Sequence, residues 1–166
     1  MIKETEWLGN KLIGDPKLRI SFNSPQCGWM SIGFSRGGME FHTTTASSPY
    51  KNALEKLLSI LIEIAGGAEM QERQFQWSRN PEEFDFLFST DGENCSIRIV
   101  QYPTGNRSED TAELVFSITC PRSELLSAFA ATFKQLYLDR EEDEFEFNWR
   151  QPFPEKAYLE FIELVN

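Results

Sequence analysis

The sequence predicts an α+β fold: an antiparallel sheet of about six to seven strands from two strand–strand–strand–helix halves, both helices packed on one face, plus a short C-terminal helix. Three observations carry this expectation. Two segments place apolar residues at helical spacing. Each is preceded by short runs in which apolar and polar residues alternate. Gly, Pro, Asn and Asp stand between those runs, where hairpin turns need them.

The chain reads as a single domain over 1–166. Residues 1–17 form a lead-in, and "IKETEWLGNKLI" fits either a short helix or an extended entry beside the C-terminal tail. The first half, residues 18–67, holds "LRISFNS", "GWMSIGF" and "GMEFHTTTA", with turns at Pro25-Gln26 and Arg36-Gly37-Gly38. Its helix lies in "SSPYKNALEKLLSILIEIAGG", with Ser48 as N-cap, Pro49 at the first helical position and Gly66-Gly67 as the stop. Ala53, Leu54, Leu57, Leu58, Leu61 and Ala65 form its apolar stripe.

"QERQFQWSR" adds a strand with Phe75 and Trp77 on one face. The second half, residues 71–138, continues with "EFDFLFS", "CSIRIVQY" and "AELVFSITC", turning at Asp91-Gly92 and Thr104-Gly105-Asn106. Alternation is plain in Phe84, Phe86, Phe88 and in Leu114, Phe116, Ile118. The helix in "CPRSELLSAFAATFKQLYLDR" has Pro121 at its start and a stripe of Leu125, Leu126, Phe129, Ala130, Phe133, Leu136 and Tyr137. Both stripes are wide enough to lie on a sheet. Residues 139–166 form an acidic connection, then a helix in "QPFPEKAYLEFIELVN" with Tyr158, Phe161, Ile162 and Val165 on its apolar side.

Composition narrows the function. Fourteen Phe and 4 Trp provide large pieces for a core. A net charge of −10, from 26 acids against 16 bases, repels phosphates and argues against nucleic-acid binding. The most apolar stretch, "ALEKLLSILIEIAGGA", is interrupted by Glu55, Lys56 and Glu63, so no membrane partner is expected. The N-terminus carries charges where a signal peptide is apolar, which reads as a cytoplasmic protein. Cys27, Cys95 and Cys120 have neither an even count nor CxxC spacing, so they read as buried free thiols rather than a disulfide framework or zinc knuckle.

No catalytic residue, cofactor or metal site emerges. His42 is the sole histidine and sits in "MEFHTTT" on the side opposite Phe41 and Thr43, a sheet-face position without HExxH, GxSxG or a Cys-protease context. Gly37-Gly38 lies between two strands and reads as a hairpin turn rather than a phosphate cradle. "STDGENCS" lacks the twelve-position spacing of a calcium loop, and Glu82, Glu83 and Asp85 divide between a loop and the outer side of a strand.

One stretch stands apart. "REEDEFEFNWRQPF", residues 140–153, opens with a dense run of carboxylates and gives way to aromatics. Acids oppose the dipole at a helix C-terminus, so the preceding helix is expected to end near Leu138 or Asp139. Phe145, Phe147 and Trp149 then alternate as in a strand. The bland reading is a solvated connection. The functional reading is an acidic, aromatic-edged surface that docks a basic protein, with Glu141, Glu142, Asp143 and Glu144 steering and Trp149 or Phe153 as the anchor.

Over residues 18–138 the layout resembles small bacterial families of uncharacterised or immunity-type proteins that accompany polymorphic or contact-dependent toxins. The resemblance rests on Trp77, the aromatic strand Phe84 to Phe88, the Asp91-Gly92 hairpin and the helix start at Glu124-Leu125. It implies a non-enzymatic inhibitor with no shared catalytic residues. The acidic tail lies outside it. The expectation is therefore a protein-binding module, immunity-like, that occludes a basic toxin-like partner. The alternative is a structural or regulatory homodimer that self-associates through an exposed sheet face bearing Ile32, Phe34, Val100 and Tyr102.

Overall fold

A computed structural model describes residues 16–166; the reading of "IKETEWLGNKLI" lies outside the described residues. Seven strands are present among the described residues: β1 (Arg19–Phe22), β2 (Trp29–Arg36), β3 (Met39–Ala46), β4 (Met70–Ser78), β5 (Glu83–Thr90), β6 (Asn94–Tyr102) and β7 (Glu113–Pro121). Four helices join them: α1 (Ala53–Ala65), α2 (Arg122–Asp139), α3 (Phe145–Trp149) and α4 (Glu155–Val165). The class is α+β, as the sequence predicts.

The expected single sheet is instead two antiparallel sheets, β1–β2–β3 and β4–β5–β6–β7. The reason lies in the aromatic side chains on their inner faces. Phe34 of β2 meets Phe86 and Phe116 at ring separations of 6.0 and 5.7 Å, Phe41 meets Phe84 at 5.5 Å, and Phe22 meets Trp77 at 5.8 Å. Rings this large bury most area when two faces close on each other. β3 passes close to β7 and β4 without continuing either ladder. Ile32 and Phe34, expected on an exposed face, are 3% and 1% accessible and belong to this core. The two-residue alternation assigns them to the same face as Met30, also buried, while Ser31, Ser35 and Gly33 take the other.

Each helix covers a strand of the opposite half. α1 follows the first sheet but packs on β4, the first strand of the second. α2 follows the second sheet but packs on β1, the first strand of the first. Their buried stripes are Ala53, Leu54, Leu57, Leu58, Ile60, Leu61, Ile64 and Leu125, Leu126, Phe129, Phe133, Leu136. Phe129 reaches both sheets, with Phe22, Phe34 and Phe88 at 6.3, 6.2 and 6.0 Å. α2 also satisfies the open edge of β1: Thr132 Oγ1 accepts the Phe22 N–H at 2.6 Å and Glu124 Oε2 accepts the Leu18 N–H at 2.9 Å. An unpaired strand edge is thereby closed without another strand. α4 lies across α1 and α2.

Local signals mostly hold. Phe75 and Trp77 of β4 point inward together, and Asp91 Oδ1 accepts the N–H groups of Glu93 and Asn94 at the hairpin where Gly92 adopts φ 102°. One start is corrected. α1 begins at Ala53, and Ser48 and Pro49 lie in the turn before it, where the Lys51 N–H bonds to the Pro49 carbonyl. No helix among the described residues is long and apolar enough to cross a membrane.

Candidate functional site

The acidic stretch is an ordered turn. α2 ends at Asp139, after which the Asp143 N–H bonds to the Asp139 carbonyl at 2.9 Å, Glu144 to Glu141 at 3.1 Å and Phe145 to Arg140 at 2.8 Å. Glu144 takes φ 49°, the left-handed region that reverses the chain. The expected strand over Phe145, Phe147 and Trp149 is instead the short helix α3. Its physical logic is the i, i+4 spacing of Phe145 and Trp149, which puts both on one face. Both are 2% accessible; Trp149 meets Trp77 at 6.2 Å and Phe145 meets Phe153 at 5.3 Å.

Trp149 is therefore a core anchor that holds the turn down, not a surface contact. The residue left outside is Phe147, 78% accessible and the most exposed large apolar side chain among the described residues. Glu141, Glu142, Asp143, Glu144 and Glu146 lie just before it in sequence, and all are exposed. The turn is fastened at three points to the segments that flank the strands of the first sheet. The Ser24 hydroxyl donates to Asp143 Oδ2 at 2.6 Å, the Gly28 N–H donates to the Asn148 carbonyl at 2.6 Å, and Gln151 Nε2 donates to the Ser47 carbonyl at 2.5 Å. Asn148 Nδ2 also donates to the carbonyls of Asp143 and Glu144. At the root of the turn the Arg140 guanidinium covers the Tyr137 ring at 3.8 Å and bonds to the Tyr137 carbonyl.

Five carboxylates thus project from a fixed backbone next to one exposed ring. Trp29, 40% accessible, is the first residue of β2 and follows Gly28, to which the turn is bonded. The sequence pointed to Trp149 or Phe153 as the exposed anchor, whereas the fold buries Trp149 and leaves Phe147 outside. Once the segment is helical, Phe145 and Trp149 share a face from which Phe147 is excluded, and Asn148 supplies the side-chain amide that closes the turn.

The remaining candidates resolve into structural roles. His42 is exposed on β3, paired with Gly33, where an added Cβ would sit 2.6 Å from His42 Nδ1; the glycine makes room for the imidazole. Glu83 and Asp85 both bind Arg107, at 2.7 and 2.6 Å, and Glu83 also accepts the Tyr50 hydroxyl at 2.7 Å. Desolvation and the Glu83 carboxylate push the Tyr50 phenol up. Glu82 pairs with Arg79, whose hydrogen bond holds that carboxyl below its usual range. This network ties the turn before α1 to β5 and to the loop before β7. Each bond in it joins residues more than twenty positions apart, beyond any local pattern. Among the described residues no three His, Cys, Asp or Glu side chains come together as metal ligands. A groove of about 490 Å³ runs between α2 and α4, lined in part by Ala131, Lys134, Leu138, Leu159 and Ile162.

No protein-family model, curated protein or solved structure matches this chain.

Proposed function

We propose that this chain is a non-enzymatic binding protein, immunity-like in kind, that occludes a basic, toxin-like protein through its acidic turn. The observation that supports the reading is Phe147, 78% accessible at the C-terminal end of an acidic turn that is hydrogen-bonded to the loops flanking the first sheet. A solvated connection has no need to hold a phenylalanine in water. A docking surface does, because a rigid exposed ring loses little freedom when a partner covers it. Glu141, Glu142, Asp143, Glu144 and Glu146 draw a cationic surface in, and the ring excludes water from the contact. The mechanism is steric: a covered site on the partner cannot reach its own substrate.

The two parts act on different kinetic constants. Steering charges set the association rate, whereas a buried ring sets the dissociation rate. The test is capture of a stoichiometric partner by the tagged protein from its source cells, followed by binding kinetics with that partner. Reversal of Glu141, Glu142, Asp143 and Glu144 to Lys is expected to slow association by about 10-fold or more and to flatten its salt dependence. Phe147→Ala is expected to speed dissociation by about 30-fold, as an anchoring residue does. A partner retained at unchanged rates by both variants removes the turn from the mechanism. Capture of the protein alone, with a dimer in solution, favours self-association instead. That reading has lost Ile32 and Phe34 to the core and retains the half-buried Val100 and Tyr102.

A further inference from the structure

Two of the three cysteines face each other. The β6–β7 ladder pairs Cys95 directly with Cys120, and both side chains point into the core, 0% and 2% accessible. Directly opposed residues on an antiparallel pair share a face. The kind of pair follows from the ladder: the Arg122 N–H donates to the Glu93 carbonyl at 2.8 Å, two residues further along each strand. Hydrogen-bonded and non-hydrogen-bonded pairs alternate, so Cys95 and Cys120 are a hydrogen-bonded pair with Cα atoms about 5.5 Å apart. That is the commonest Cα separation in disulfides, roughly 5.5–6 Å.

We propose that Cys95 and Cys120 are a redox modification site that closes reversibly to a cross-strand disulfide. The Cα spacing asks for no movement of the strands. The Cβ spacing does ask for some: opposed residues hold Cβ atoms about 4.5–5.5 Å apart, whereas a disulfide wants about 3.5–4.5 Å. The bond therefore forms under strain, and strained disulfides are the readily reduced ones. Access comes from position, since Asn94–Pro121 is the last registered pair of the ladder and Cys95–Cys120 the next one in. Strand ends open at low free-energy cost. With the ladder closed, burial pushes both thiols up, Cys120 to about 12, so the reduced pair rests as two neutral, apolar side chains.

The oxidant is a low-molecular-weight disulfide, represented by oxidised glutathione. One cysteine thiolate attacks it, forming a mixed disulfide and releasing one glutathione thiolate. The second cysteine, as its thiolate, attacks the protein sulfur of that mixed disulfide and releases the other. The protein gives up two electrons and two protons, and oxidised glutathione becomes two glutathione thiols. The product ties the end of β6 to the β7–α2 junction, close to Glu124, which holds Leu18 and Arg36.

The experiment uses the full chain with Cys27→Ser, because Cys27 is exposed and would compete for the oxidant. The folded protein is incubated with oxidised glutathione, free thiols are blocked by alkylation, and peptides are mapped without reduction. The expected result is a peptide joining Cys95 to Cys120, lost again when reduced glutathione is added to the folded protein. Alkylation of both cysteines after incubation overturns the proposal. So does glutathione on either one without a link, or a link that reduced glutathione fails to open.

Discussion

The two halves exchange helices across their edge strands, but only one of those edges is closed by hydrogen bonds. α2 closes β1 with two side-chain acceptors, Thr132 and Glu124, aimed at backbone N–H groups. α1 lies on β4 through its apolar stripe, and residues 71–74 of β4 stay exposed, with only the solvent-facing Arg73–Glu63 pair across to the helix. A four-residue edge strand such as β1 has too little ladder of its own and needs backbone partners. A nine-residue strand carrying a bulge between Met70 and Arg73 has ladder to spare and tolerates a wet edge.

The largest effects are expected where the halves are equal. Phe129→Ala removes the ring that touches both sheets and is expected to cost about 4 kcal/mol; Leu61→Ala, on the matching face of α1, about 3 kcal/mol. Denaturant unfolding measures both, and a much smaller loss at either site breaks the equivalence. Thr132→Val keeps the shape and removes the acceptor, leaving the Phe22 N–H buried without a partner; a loss of about 1–3 kcal/mol is expected. No such residue exists on the β4 contact, so this variant sharpens the difference most directly.

Glu124→Gln comes next, at about 1 kcal/mol. The hydrogen bond from Arg36 at 2.6 Å holds the Glu124 carboxyl below its usual range. A carboxyl depressed in the folded state contributes stability above its unfolded value of about 4.3, and that contribution is lost as pH falls through the folded value. The gap between wild type and Glu124→Gln is therefore expected to close in acid, and unfolding curves at about pH 7 and pH 3 read it. A gap that persists in acid assigns the effect to packing. The smallest effect belongs to Arg73→Ala, under about 0.5 kcal/mol, because both members of its pair are nearly half exposed.

The acidic turn repeats the contrast on one short helix. Trp149 and Phe147 are two residues apart in an aromatic run, and one is core while the other is solvent. Their spacing in sequence fits a strand as well as a turn of helix, because Phe145, Phe147 and Trp149 satisfy period two while Phe145 and Trp149 alone satisfy i, i+4. What decides is Trp77, waiting in β4 more than seventy residues earlier to receive Trp149. Tyr50, Glu83, Asp85 and Arg107 make the same point among polar groups: each reads as a surface residue until the fold brings the others to it.

By itself the sequence determined what most stretches of chain become, the run Phe145–Trp149, a helix where a strand is expected, being the exception. Periodicity and turn residues act over a few neighbours, so all seven strands, the helical stripes, the Asp91-Gly92 hairpin and the acidic turn's position were legible there. Tertiary structure alone decided how the pieces meet: two sheets rather than one, each helix on the other half's strand, Ile32 and Phe34 inside, and Phe147 rather than Trp149 at the surface. Local patterns state that a face is apolar. Which apolar face covers it depends on where the largest rings find each other, and here those rings come from both sheets and α2 at once.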